Sequence, residues 1–177
     1  MIQPVIFLLD AVIGFFTLLL LLRFFMQLNR VSFANQIGSF VVQATNWAVK
    51  PLRRVLPGVL GLDLASLVPA WLLQCLLLAA IYALRSSGAI DPGALLLLVL
   101  WQGLVATLRV AIWVFIGALF LQAVLSWVNP FSPLGQPVAQ LTRPLLQPIQ
   151  RFVPPIANID LSPLVAIVLL QVVLMLL

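Results

Sequence analysis

Four aspartates, Asp10, Asp63, Asp91 and Asp160, carry all the negative charge of this chain, which has no glutamate and no histidine. Acid–base catalysis needs titratable groups set near one another, and a metal site needs a cluster of His, Cys, Asp or Glu ligands. Four scattered carboxylates supply neither. The one cysteine, Cys75, stands in an apolar run, so neither a disulfide nor a nucleophile beside a base is available. No glycine-rich phosphate loop is present either. An enzyme is not expected, and no cofactor or metal is implied. What remains is charge pairing. Arg54 and Asp63 are separated by nine positions, and so are Arg151 and Asp160. Each pair reads as a salt bridge across a bend, or as a helix-capping aspartate beside an arginine that meets lipid phosphate. Asp10 and Arg109 lie inside apolar runs, where an ionisable side chain costs about 2.5–3.5 kcal/mol on the insertion scale. They either pair with each other or lie near one interface and snorkel. Arg23, near the end of an apolar run, reads as a snorkelling residue.

The elements that hold these residues come in two copies. Sliding the chain against itself by 97 residues places Pro148 on Pro51, Arg151 on Arg54, Pro154 on Pro57, Asp160 on Asp63 and Gln171 on Gln74. Upstream, the same offset places Gly135 on Gly38, Gln140 on Gln43 and Thr142 on Thr45. The chain is a tandem duplication, with repeats over residues 1–88 and 89–177.

Composition assigns the solvent. Hydrophobic residues make up 64% of the 177 positions and charged ones only 7%, against roughly a quarter charged in a soluble domain. Mean hydropathy is +1.22. Such a chain cannot cover itself with a polar surface, so its main partner is the lipid bilayer. The net charge of +5 is too dispersed to track phosphates along nucleic acid, and positive-inside topology explains it better. Apolar runs predict membrane spans at about residues 4–28, 64–84, 94–128 and 161–177. Met1-Ile-Gln-Pro lacks a basic leader, so the first span is expected to be retained rather than cleaved. The 94–128 run exceeds one bilayer thickness, and with no turn signal inside it one long tilted or kinked helix is expected. Between the spans of each copy, apolar residues at helical spacing predict an amphipathic surface helix. In the second copy Ser132-Pro133 reads as its N-cap and first residue. A hinge follows, in which Pro144, Pro148, Pro154, Pro155 and Pro163 recurrently remove backbone donors. Asp160-Leu-Ser162-Pro163 reads as the start of the last helix, and Asp63 or Ser66 as a cap in the first copy.

The expected fold is therefore an all-α integral membrane protein of two tandem parallel repeats. Each is a transmembrane helix, an amphipathic surface helix, a proline-rich hinge and a second transmembrane helix. Two spans per copy relate the copies by a pseudo-two-fold along the membrane normal. Arg30, Lys50, Arg53, Arg54, Arg143 and Arg151 share one side, opposite Arg85 and the termini. That asymmetry puts the hinge loops in the cytoplasm and both termini outside.

The duplicated pattern of a span, a surface segment and P-x-x-R-x-x-P-x-x-x-x-x-D before a second span resembles the YggT family, called YlmG in Gram-positive bacteria. The likeness covers nearly the whole chain and is strongest from Pro148 to Pro163, with Arg151, Pro154, Pro155, Asp160 and Ser162 inside that stretch. Asn129-Pro130 resembles the Asn-Pro that often follows the first span of a repeat. The first copy departs from the pattern at Ser32-Phe33, Gly58 and Ala65-Ser66; if the second copy carries the function, the first is a scaffold. The resemblance implies a bacterial inner-membrane protein of osmotic and envelope stress and of ion, particularly potassium, homeostasis. In other lineages it implies division, nucleoid distribution or cytochrome haem maturation. A channel or transporter in its own right, and a scaffold for division or cytochrome assembly, are the alternatives. A membrane-protein partner or a homo-oligomer is the further expectation. Reporter fusions at positions 50 and 150 test the topology: both are expected to report the cytoplasmic face, and opposite faces would break the parallel-repeat reading.

Overall fold

The computed structural model describes residues 2–54, 62–85, 91–129, 132–152 and 160–177. These form six helices in the order α1 (Ile2–Leu28), α2 (Gln36–Leu52), α3 (Leu64–Arg85), α4 (Pro92–Val128), α5 (Gly135–Gln150) and α6 (Ser162–Leu176). The protein is all-helical, and α1, α3 and α4 are each long and apolar enough to cross a membrane. A bilayer interior offers no water to the backbone, so a spanning segment must satisfy its own N–H and C=O groups, and a helix does so. α4 runs unbroken through 37 residues, about 55 Å at the helical rise. α6 has 15 residues, about 22 Å, less than the roughly 30 Å of a hydrocarbon core.

Local chemistry sets the helix starts. Asn35 caps α2 by accepting from Gly38 N at 2.7 Å. Position 38 must be glycine, because a Cβ there would lie 2.6 Å from Phe33 Cα. Asp91 caps α4, accepting from Ala94 N at 3.0 Å, with Pro92 in the first turn. Two expectations are corrected in the second copy. α5 starts at Gly135 rather than at Ser132-Pro133, and its cap residue Leu134 offers no side-chain acceptor. Pro144 and Pro148 lie inside α5 rather than in a hinge beyond it. Both are exposed, as is Gln140, whose carbonyl loses its partner to Pro144. A carbonyl on the outer face of a surface helix can be solvated, which lets the helix continue through the prolines. Pro130, Pro154 and Pro155 lie outside the described residues.

α4 is the hub of the packing, touching α1, α3, α5 and α6. Each copy has its own inner core. In the first, Leu20, Leu21, Val49 and Ala70 pack together, and in the second Leu119, Leu146 and Ala166 do so. Val49 and Leu146 are equivalents at the 97 offset. The copies are nonetheless not symmetric. α3 packs on α4, whereas α6 makes no comparable contact with α1, so the two-fold is incomplete. The reason lies at Gly103, where a Cβ would collide with Cys75 Sγ. That close approach lets Trp71 Nε1 donate to the Leu100 carbonyl at 3.3 Å. The equivalent of Gly103 on α1 is Ile6, so the matching position carries a side chain too large for so close an approach. Gly103→Ala should therefore destabilise the protein by about 1–3 kcal/mol through overpacking, and Cys75→Ala should recover most of that loss. Thermal unfolding of the single and double variants in detergent checks this, and strictly additive losses would rule the contact out as the cause.

Candidate functional site

The polar side chains of the first copy converge where α1, α2 and α3 meet at the bend. Arg23, four residues before Gln27 and so on the same face of α1, is only 5% exposed. Its Nη1 donates to Thr45 Oγ1 at 2.8 Å and to Asn46 Oδ1 at 3.2 Å. Thr45 stands on the apolar face of α2 beside Val41 and Ala48, and is fully buried. It can sit there because its hydroxyl donates to the Val41 carbonyl at 2.6 Å, leaving a lone pair for the guanidinium. Arg23 Nε is buried without a partner. Arg23 is thus a buried cation joining a span to a surface helix, and the snorkelling expectation is corrected.

A second set of bonds closes the bend. Asp63, only 4% exposed, accepts from Arg53 Nη2 at 2.9 Å and from Ser66 Oγ at 2.7 Å. Arg53 Nη2 also donates to Gln27 Oε1 at 2.9 Å. The chain Gln27, Arg53, Asp63, Ser66 thereby ties the end of α1, the end of α2 and the start of α3. Arg53 serves Gln27 and Asp63, while Arg23 finds its acceptors on α2. The hinge aspartate pairs with Arg53 and not with Arg54, which is exposed.

The second copy repeats this geometry in neutral form. Thr142, equivalent to Thr45 and equally buried, has its hydroxyl in hydrogen-bond contact with the Val138 carbonyl at 3.0 Å and with the Gln122 side-chain amide of α4. Asp160 accepts from Gln150 Nε2 at 2.9 Å and from Ser162 N at 2.9 Å. Gln150 is the 97-offset equivalent of Arg53, so the same position makes the bridge in both copies. Arg151 is exposed and does not bridge Asp160. Partial burial works to raise the Asp160 pKa, but the hydrogen bonds it accepts at Ser162 and from Gln150 outweigh that and hold it below the ordinary value. Ser162 and Pro163 are buried in the first turn of α6. Pro148 is exposed on α5, and Asn129 is the exposed C-cap of α4.

Asp10 and Arg109 do not pair. Both are exposed, and among the described residues Arg53 with Asp63 forms the one ion pair. α1 and α4 meet in the second half of each helix, where Phe25 and Phe115 rings lie 4.6 Å apart and Val114 joins the Leu20 cluster. Asp10 lies about 27 Å before Leu28, and Arg109 about 24 Å before Leu125, the equivalent of Leu28. Both therefore fall near the opposite edge of a hydrocarbon layer about 30 Å thick, the interfacial alternative for this pair. Sequence reading passed over Arg53, Gln150, Gln27, Asn46 and Gln122. One signal did point here: a threonine recurring in both copies on the apolar face of an amphipathic helix, where a polar side chain needs a partner.

A helical bundle whose two copies each clamp a surface helix against a membrane-length helix through a buried threonine defines the class: a duplicated helical membrane protein. A profile of the CCB3/YggT family matches residues 2–84 and 101–177, and the chain belongs to that family. It is 38% identical over 95% of its length to an uncharacterized protein of Pseudomonas aeruginosa, covering 85% of that relative. It is 34% identical to the uncharacterized protein YggT of Escherichia coli K12, over 94% of this chain and 85% of the relative. A Vibrio alginolyticus protein is 33% identical over 93% of this chain and 88% of its own length. No solved structure matches.

Gln150 in the second copy indicates which replacement the first should tolerate. Arg53→Gln is expected to keep the hydrogen bond to Asp63, while Arg53→Ala leaves that buried carboxylate short of a partner and should cost about 1–3 kcal/mol. Melting temperatures of the two variants in detergent should differ, with Gln near the parent; equal losses would count against the bridge.

Proposed function

We propose that this chain is a non-enzymatic inner-membrane protein of osmotic and envelope-stress physiology that influences potassium homeostasis, with its hinge side in the cytoplasm. Family membership and the basic residues gathered around the bends support that placement. The observation that carries the functional reading is the buried Arg23–Thr45 contact. An amphipathic helix lying at a membrane surface feels changes in lipid packing and headgroup charge. Here the helix is not free to respond alone, because moving α2 away from α1 strips the acceptors from a buried guanidinium. Such a contact favours two arrangements, made or broken, over a continuous drift. The surface helix is thereby coupled to the span, which is what a stress-responsive membrane element requires.

Arg23→Met replaces the guanidinium with an apolar chain of similar length, a class of exchange that buried ion sites often tolerate. In cells lacking the chromosomal copy, this variant is expected to insert at parental levels and to lose protection against osmotic downshift. Parental survival with the variant would remove the contact from the mechanism. Potassium flux through liposomes holding the purified protein alone would favour instead a channel in its own right.

A further inference from the structure

An apolar groove of about 220 Å³ opens between the two copies. It is lined by Leu22 and Met26 of α1, Val31, Gly117 and Leu121 of α4, and Leu141 of α5. Gly117 keeps it open, since no atom lies within 4 Å of where its Cβ would stand. Drug-sized ligands occupy sites of about 300–1,000 Å³. This groove is smaller and almost wholly apolar, the dimensions and chemistry of one hydrocarbon chain.

Beside the groove the chain carries an arginine in a conformation that arginine rarely adopts. Val31 N donates to the Met26 carbonyl at 2.8 Å and Arg30 N to the Gln27 carbonyl at 3.1 Å. This pair of bonds is the Schellman closure of α1, and Val31 packs on Met26 in the accompanying hydrophobic contact. The residue at the left-handed position of that motif is usually glycine. Here it is Arg30, with φ 53°. Its side chain is exposed, and no hydrogen bond or ion pair engages its guanidinium among the described residues. Arg30 directly precedes groove-lining Val31 in the Schellman turn that closes on groove-lining Met26, so its backbone adjoins the groove at the bend. Its equivalent in the second copy is Trp127, which carries no charge. A strained backbone position retained for a cation invites a functional account. Guanidinium and phosphate are matched in charge and in hydrogen-bonding geometry.

We propose that this groove holds one acyl chain of an anionic phospholipid whose phosphate is bound by Arg30. The lipid would then fill the seam between the copies on the side of the bends. The proposal stands apart from any role in stress.

Two variants test it without threatening the fold. Arg30→Gly places the preferred residue at the left-handed position, so the melting temperature of the lipid-free protein should hold or rise. Gly117→Leu enters open space on a helix. The purified full chain in detergent is titrated with phosphatidylglycerol, phosphatidylcholine or glycerol phosphate. Retained lipid is measured by mass spectrometry and stabilisation by the melting temperature. The parent is expected to retain phosphatidylglycerol in preference to phosphatidylcholine and to ignore glycerol phosphate. Arg30→Gly should bind phosphatidylglycerol about tenfold more weakly, the effect of one hydrogen bond to a charged group, and lose the preference. Gly117→Leu should lose both lipids. Parental retention by either variant overturns the proposal. So does full stabilisation by glycerol phosphate, which would mark a phosphate site without a chain. A changed oligomeric state in Gly117→Leu with unaltered lipid would assign the groove to a second copy and equally defeat it.

Discussion

The guanidinium of Arg23 has nowhere else to go. Five per cent exposed among apolar side chains, it depends on acceptors from α2, and every other feature of the bend follows from supplying them. A buried cation left without a partner costs several kcal/mol. Thr45 must therefore face inward, although it stands on the apolar side of its helix. For Thr45 to do so, its hydroxyl proton must go to the Val41 carbonyl, which directs its lone pair at α1. The orientation of the surface helix against the span is fixed by this one requirement more sharply than by hydrophobic contact, which has no direction.

The second copy shows what the arrangement becomes without the cation. At the position of Arg23 it has Phe120, which is 64% exposed, and the Thr142 hydroxyl meets Gln122, two residues further along the equivalent helix. The threonine and its bond to the carbonyl four residues back are kept, and the second partner of its hydroxyl changes from a guanidinium to a side-chain amide. A hydroxyl serves in both roles, whereas valine of the same shape serves in neither. That is a physical reason for threonine at this position in both copies.

Much of this architecture was legible in the sequence. Hydrophobic runs located the membrane-length helices, and the 97-residue offset exposed the duplication, because composition and period are set by the solvent each helix face meets. The partners within the bend were not legible. Arg54 and Arg151 stand out because they are identical in the two copies, yet the bridging position is 53 and 150, where the residues differ. Which of two adjacent side chains faces the aspartate depends on helical phase at the end of α2. A register of one residue rotates a side chain by roughly 100°. Pro144 and Pro148 misled for a related reason. A proline forbids a donor but does not end a helix whose exposed carbonyls find water or headgroups instead. Asp10 and Arg109 were brought together by depth alone, and depth does not determine which way a residue points around a helix.

The differences between the copies are correlated, and the correlation has an electrostatic cause. Arg23 and Arg53 in the first copy become Phe120 and Gln150 in the second, so both cations are absent together. The aspartates differ in burial to match. Asp63 is nearly sealed from solvent, while Asp160 is only partly covered. A sealed carboxylate needs a charged partner, because neutral donors repay little of its lost hydration. A half-covered one is served by an amide, a backbone N–H and solvent. Arg53 and Asp63 therefore form a pair in which removing the half-exposed arginine leaves a sealed carboxylate without its charged partner. Gln150 and Asp160 carry no such interdependence. The copy that departs from the family pattern at Gly58 and Ala65-Ser66 is thus the one whose hinge aspartate is held by a charged partner.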